Sequence, residues 1–290
     1  MVMDTETALD LGFAMICTST DLKRYAMMIG LIAVAGAFLF PISATAVKVT
    51  SFAGTLRGFP ALREISGKKL ADGDFAQSLQ DDRLHVKLIY RFTKNRQIEE
   101  NAQFKQKPEL IQESWSWREV NDGKLLRKFN VDFSAGRGTA EKEEKGQLKQ
   151  WTEKLDIESG QTFAGIGFVL AIMNLRERLV AGESIELKAA AFTPKPRTVS
   201  VEISYAGLDQ MRMADRWLKG DHFVIHPKIP RIAQVVIKAP DTHMWLTNPA
   251  PAGFLRTEGP LVEPSDAVIR IDLLAGGESG AAKPISDKSP

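Results

Sequence analysis

In Leu84-His85-Val86-Lys87-Leu88-Ile89-Tyr90-Arg91-Phe92, the apolar residues Leu84, Val86, Leu88, Tyr90 and Phe92 alternate with His85, Lys87 and Arg91. Only an extended chain sends neighbours to opposite faces with a period of two, so this is a half-buried strand. Working outward, Lys94 and Asn95 turn the chain into a weaker strand from Ile98 to Phe104, and Pro108 breaks it before a strand from Leu110 to Glu119. Ile111, Trp115 and Trp117 are expected to share a face there. Asn121-Asp122-Gly123 is a hairpin signal, and Leu125, Phe129, Val131 and Phe133 line one face of the strand after it.

A turn at Ala135 to Gly138 and a charged run from Glu141 to Lys145, read as a solvated hairpin, lead to a strand carrying Trp151, Leu155 and Ile157. Between Gln161 and Leu179 the period becomes helical through Phe163, Ile166, Leu170, Met173 and Asn174. Gly165 and Gly167 each weaken a helix by about 1 kcal/mol relative to Ala, which points to close approach to a sheet. Further strands are expected at 185–191, 199–205, 210–217, 221–226, 232–238, 242–246 and 267–274, with residues 275–290 disordered. The fold class is mainly β: one domain over 47–274, a strongly curved antiparallel sheet or half-open barrel wrapped around one buried helix at 161–179.

The front of the chain carries an address. Lys23 and Arg24 precede an apolar run from Tyr25 to Phe40, then Pro41 and the small residues Ala44, Thr45 and Ala46, the order of a secretory signal peptide over 1–46. The run is shorter than the roughly 20 residues of a membrane-spanning helix, so cleavage before Val47 is expected in place of an anchor, and the mature form is not membrane-spanning. The destination is periplasmic or secreted. Cys17 is the one cysteine and lies in this leader, so the mature chain has no thiol chemistry, no disulfide and no lipid-attachment cysteine. The leader holds two of the 38 basic and four of the 36 acidic residues, leaving a formal charge of about +4, too mild to indicate a nucleic acid as partner.

Catalytic signatures are weak. His222 and His226, with His243 nearby, are the residues a metal would need, but four positions along a strand separate two imidazoles by about 13 Å, so no metal and no cofactor is expected. A Gly-x-Ser-x-Gly elbow is absent from the sequence. Adjacent acids such as Glu99 and Glu100 point to opposite faces of a strand and do not form an acid–base pair. The aromatics Trp115, Trp117, Phe129, Phe133, Trp151 and Trp245 carry more information. They either fill the core between sheet and helix or line an apolar cavity open to an acyl chain.

The order from Phe163 to Arg178, then Leu179-Val180-Ala181-Gly182-Glu183 and paired strands, resembles a group of uncharacterised bacterial periplasmic β-proteins with an apolar helix followed by a Leu-x-x-Gly turn. Trp245-Leu246 and the stretch from Gly253 to Pro260 correspond in character to that group's late strands. The group is similar in turn to the LolA/LolB-like envelope proteins, whose half-open barrel wraps a helix and holds lipid or lipoprotein acyl chains. The resemblance spans roughly Leu84 to Leu274 and implies a fold more than an activity. This chain departs from it in two proline-rich crossings, His226-Pro227-Lys228-Ile229-Pro230 and Pro249-Ala250-Pro251, and in lacking an anchoring cysteine.

The expected function is therefore non-catalytic: a soluble envelope protein binding an apolar or lipid-like ligand or an envelope partner. Trp115, Trp117, Phe129, Trp151 and Trp245 are the candidate aromatic contacts, with Lys228, Arg231 and Arg256 as basic groups at the rim, where they would meet an anionic head group. A structural envelope protein with a self-filled core is one alternative. A hydrolase is another, requiring His226, His243 and a carboxylate within hydrogen-bond reach.

Overall fold

The computed structural model describes residues 45–213, 216–228, 239–249, 251–273 and 282–285. The leader up to residue 44, the strand expected at 232–238, Arg231 and most of 275–290 lie outside them. Among the described residues, Leu56–Gly58 (β1) and Ala61–Glu64 (β2) precede the long Lys69–Gln80 (β3). Arg83–Phe92 (β4), Arg96–Gln106 (β5), Leu110–Asn121 (β6), Lys124–Asp132 (β7), Arg137–Glu144 (β8) and Gln147–Lys154 (β9) follow as a meander. Thr162–Phe163 (β10), the helix Gly167–Val180 (α1), Ile185–Phe192 (β11), Pro196–Met213 (β12) and Arg216–Pro227 (β13) form the middle. Thr242–Asn248 (β14), Phe254–Pro260 (β15), Val268–Asp272 (β16) and Lys283–Pro284 (β17) complete the sheet.

The protein is mainly β: the described residues form one large curved sheet around one short helix. Its ladders run from β10 through β11 to β16, then through β2 and β3 to β9, with β1 also on β3 and β17 also on β12. All are antiparallel except β10 with β11, where Thr162 and Phe163 lie parallel to Lys188 and Ala189. Among the described residues no ladder joins β9 to β12, and the sheet does not close into a barrel. Side chains bridge the gap. A Cβ on Gly138 of β8 would lie 2.6 Å from the Pro196 Cβ of β12, Thr198 Oγ1 accepts from the Asp156 N–H at 3.1 Å, and Phe192 reaches Phe129 with ring centroids 4.6 Å apart.

The tight turn at Asp122 and Gly123 has φ of 49° and 77°, the paired left-handed conformation that an Asp-Gly dipeptide tolerates in a two-residue hairpin. Bulges explain several departures from the sequence reading. Between Gln103 and Phe104 on β5 the partners jump from Ser114 to Gln112, so Glu113 is an extra residue on β6 and the in–out parity flips. Leu110 and Gln112 are thereby buried with Trp115 and Trp117, while Ile111 turns to the other face. The strands expected at 199–205 and 210–217 are one strand, β12, bulged between Tyr205 and Gly207, and Trp217 belongs to β13. Part of the tail expected to be disordered returns to the sheet: β17 pairs with Asp209 and Gln210, and the Ile285 N–H donates to the Leu208 carbonyl.

The helix starts at Gly167 rather than Gln161. Gly165 has φ of 50° and turns the chain out of β10, and the orphan N–H groups of the entry find side-chain acceptors on the sheet. Ala164 N–H donates to Gln112 Oε1 at 2.8 Å, and Ile166 N–H to Glu100 Oε1 at 2.8 Å. Gly182 at φ 96° ends the helix, donating to the Leu179 carbonyl. Val169, Leu170, Ile172, Leu175 and Leu179 join one apolar cluster with the inner faces of both halves of the sheet. Asn174 is the polar exception: its Oδ1 accepts from the Thr50 and Ser51 N–H groups at 2.8 Å each, which straps the chain before β1 across the helix. Among the described residues no helix is long and apolar enough to cross a membrane.

Candidate functional site: an apolar cavity between helix and sheet

Between α1 and the concave face of the sheet lies a cavity of about 780 Å³. Trp115 and Trp117 from β6, Phe192 from β11, and Phe168 and Met173 from α1 form its walls. Trp115 and Phe192 stack at 5.6 Å and Trp117 and Phe129 at 5.7 Å, and Phe129 meets Phe192 at 4.6 Å, so the rings form one continuous rigid layer across the unpaired seam of the sheet. Residues 51–58 line the opening, fixed there by Gln106, which exchanges hydrogen bonds with the Ala53 backbone at 2.9 and 2.8 Å, and by Gln77, which donates to the Gly54 carbonyl. Phe52 and Leu56 on this strap are 48% and 56% exposed, an apolar lip on an apolar cavity.

The polar exception in the wall is Glu100. Alternation along β5 puts Ile98, Glu100, Ala102 and Phe104 on the inner face, so this acid points into the cavity while Glu99 points outward. Trp115 Nε1 donates to Glu100 Oε1 at 2.7 Å, beside the Ile166 N–H on the same oxygen. A Cβ on Gly165 would lie 2.0 Å from Glu100 Oε1 and 2.3 Å from Trp115 Nε1, so only glycine permits this contact. Burial raises the Glu100 carboxyl above the usual carboxylate range, and the bonds from Trp115 and Ile166 only partly oppose it. Tyr90, a neighbour on β4, is buried against Gly73, and its hydroxyl has no hydrogen-bond partner among the described residues. Burial, then the nearby Glu100, pushes that phenol well above its ordinary value.

Glu99 shows the opposite electrostatics on the outer face. Burial alone would raise it, but hydrogen bonds from Lys87, Arg118 and Asn101 prevail and bring it down to about 2. A depressed carboxylate stabilises the fold above its ordinary value near 4.5 and loses that contribution as pH falls toward 2. Glu99→Gln is accordingly expected to lower stability at pH 7 and to match the unchanged protein near pH 2, checked by urea unfolding across that range.

The sequence-predicted contacts divide. Trp115 and Trp117 line the cavity; Phe129 is fully buried behind them and Trp151 is half-buried on β9, neither at the cavity surface. Trp245 sits in a separate cluster with Met211, Met213 and Leu255. Arg256, expected at the rim, is fully buried because its Nε pairs with Asp272 at 2.7 Å across β15 and β16. Lys228 is exposed beside the cavity-lining Pro227, bound to Glu186 and Glu202 at 2.8 and 3.0 Å, and Arg231 is outside the described residues. Glu100, Phe192 and the strap at 51–58 were not among the expected residues. For Glu100 the signal was present, an acid at an inward position of an alternating strand.

A second polar cluster lies beyond the cavity wall. His222 Nε2 and His243 Nδ1 are 2.9 Å apart, His222 Nδ1 is 3.2 Å from Asp209 Oδ2, and Trp245 Nε1 donates to that same oxygen at 2.8 Å. Burial, despite Asp209, lowers the His222 imidazole below its ordinary value. His226 instead meets Asp241 at 2.7 Å on the surface, so the trio of His226, His243 and one carboxylate is not brought together. No group of three or more His, Cys, Asp or Glu among the described residues is placed to hold a metal ion.

No family model matches the chain, and no curated protein matches it. Two solved structures match over most of the chain at low identity. One is a β-barrel-like protein of the domain of unknown function DUF1849 from Brucella abortus, 7% identical, with a TM-score of 0.42, covering 80% of this chain and 100% of that one. The other is the hypothetical lipoprotein YmcC from Escherichia coli (K12), 10% identical, with a TM-score of 0.30, covering 85% of this chain and 96% of that one.

Proposed function

We propose that the protein is a non-catalytic binder of an apolar, lipid-like ligand, held in the cavity between α1 and the sheet. The observation that carries this reading is the cavity itself: about 780 Å³, walled by rigid aromatic rings and bordered by an exposed apolar lip. Ligand cavities of roughly 300–1,000 Å³ bury most of a small molecule's surface, and apolar area removed from water contributes roughly 25 cal/mol per Å². A volume of this size weighs against the alternative of a core filled by its own side chains. The leader reading adds an envelope location, and the resemblance to LolA/LolB-like carriers adds an acyl chain as the class of ligand.

Native mass spectrometry of the mature protein purified from its own compartment tests the reading. An adduct with extractable lipid is expected; a consistently empty mass with no lipid extracted would overturn it. Ala190 on β11 lines the cavity beside Phe192. Ala190→Trp is expected to fill the space, abolish the adduct and leave the folded state intact by circular dichroism.

A further inference from the structure

We infer that the ligand of this cavity carries an uncharged carbonyl group, as in an acyl ester or amide, and that Glu100 donates a hydrogen bond from Oε2 to that carbonyl oxygen. The inference rests on the ligand-binding reading above and specifies its chemistry. Glu100 Oε1 is already occupied by the Trp115 Nε1–H and the Ile166 N–H, while Oε2 has no hydrogen-bond partner among the described residues. No Lys or Arg of the described residues pairs with Glu100, in contrast to Glu99, which has Lys87 and Arg118 on the outer face. A carboxyl set in an aromatic wall without a cation is pushed toward its protonated form, because the two N–H bonds on Oε1 only partly replace the hydration its charge would lose. A protonated carboxyl has one O–H to donate, and with Oε1 acting as the double acceptor the proton resides on Oε2.

The surroundings hold this group in place. Gly165 leaves room for the carboxyl to dock on the helix entry, and the Trp115 indole is fixed by its stack on Phe192. Tyr90 does not supply the contact, because its hydroxyl is sealed from any accessible surface. The arrangement therefore selects against two other ligands. A carboxylate or phosphate would face a buried acid without a balancing cation, and a pure hydrocarbon would leave the Oε2–H unsatisfied.

The test uses the delipidated mature protein and three probes of similar length: methyl laurate, tridecane and dodecylamine, each competed against a bound fluorescent apolar dye. Methyl laurate is expected to bind roughly threefold to tenfold tighter than tridecane, the range of one net hydrogen bond. Glu100→Gln keeps an acceptor for Trp115 and an N–H for the carbonyl, so the ester preference is expected to survive; Glu100→Met is expected to abolish it. Equal binding of ester and hydrocarbon by the unchanged protein would overturn the inference while leaving the cavity reading intact. A preference for dodecylamine would also overturn it, by showing an ionised Glu100. Should none of the three bind, the cavity reading fails and the inference falls with it. The wild-type and Glu100→Gln comparisons decide the outcome even if Glu100→Met does not fold.

Discussion

Asp272→Ala is expected to destabilise the protein by about 3 to 5 kcal/mol, the range for removing one partner of a buried ion pair. Asp272 is fully buried at the junction where β16 lies between β15 and β2. Arg256 Nε, on a side chain equally buried, donates to Asp272 Oδ1 at 2.7 Å, and Arg63 Nε lies 3.3 Å from Oδ2. The Arg63 contact is close enough for charge pairing but is not aligned as a hydrogen bond, so the Arg256 bond is the stronger of the two. Removing the carboxylate leaves guanidinium charge in the core where the two halves of the sheet meet, and water cannot replace it without opening the ladder. Asp272→Asn keeps an acceptor and is expected to be less damaging. Urea unfolding checks both; a loss below about 1 kcal/mol for Asp272→Ala would show that neighbouring acids such as Glu258 take over the pairing.

Gly165→Ala is expected to have an effect of the same size, about 3 to 5 kcal/mol, by a different route. The added Cβ would sit 2.0 Å from Glu100 Oε1 and 2.3 Å from Trp115 Nε1, at a residue whose φ is 50°. The left-handed backbone is strained for alanine, and relieving the clash means breaking the bonds that tie the helix entry and the indole to one buried carboxyl. Loss of stability should therefore come with altered Trp fluorescence and weaker apolar-ligand binding. Gly54→Ala is the control, since a Cβ there meets nothing within 4 Å. Comparable losses at both positions would refute the argument from close approach.

Local periodicity was legible where the ladder is regular. The alternation from Leu84 to Phe92 matches β4 to within a residue, and Asn121-Asp122-Gly123 marks the hairpin between β6 and β7. It misled where an extra residue interrupts the period: Glu113 flips Ile111 away from Trp115, and the bulge at Tyr205 to Gly207 hides that β12 is one strand. β3 was missed because Asp72-Gly73-Asp74 breaks its pattern. Gly73 is there because a Cβ would meet the Pro60 carbonyl oxygen at 2.5 Å and the Tyr90 ring at 2.9 Å, a contact with partners 13 and 17 positions away.

At the site, Trp115 and Trp117 were readable as inward aromatics, and Glu100 was readable in principle from the same alternation. Arg256 lies in the core rather than at the rim: a charged residue is ordinarily exposed, and a buried ion pair with Asp272, 16 positions on, makes burial tolerable.

The amino-acid sequence by itself determined the class of the protein: short-range alternation, turn dipeptides and one helical stretch act between near neighbours, and near neighbours are what a sequence displays. Whether the aromatics fill the interior or enclose a space was decided only by the tertiary structure. That outcome depends on how far the curled sheet stands from α1 and on which carboxyl the helix entry meets, distances set by residues far apart in the chain.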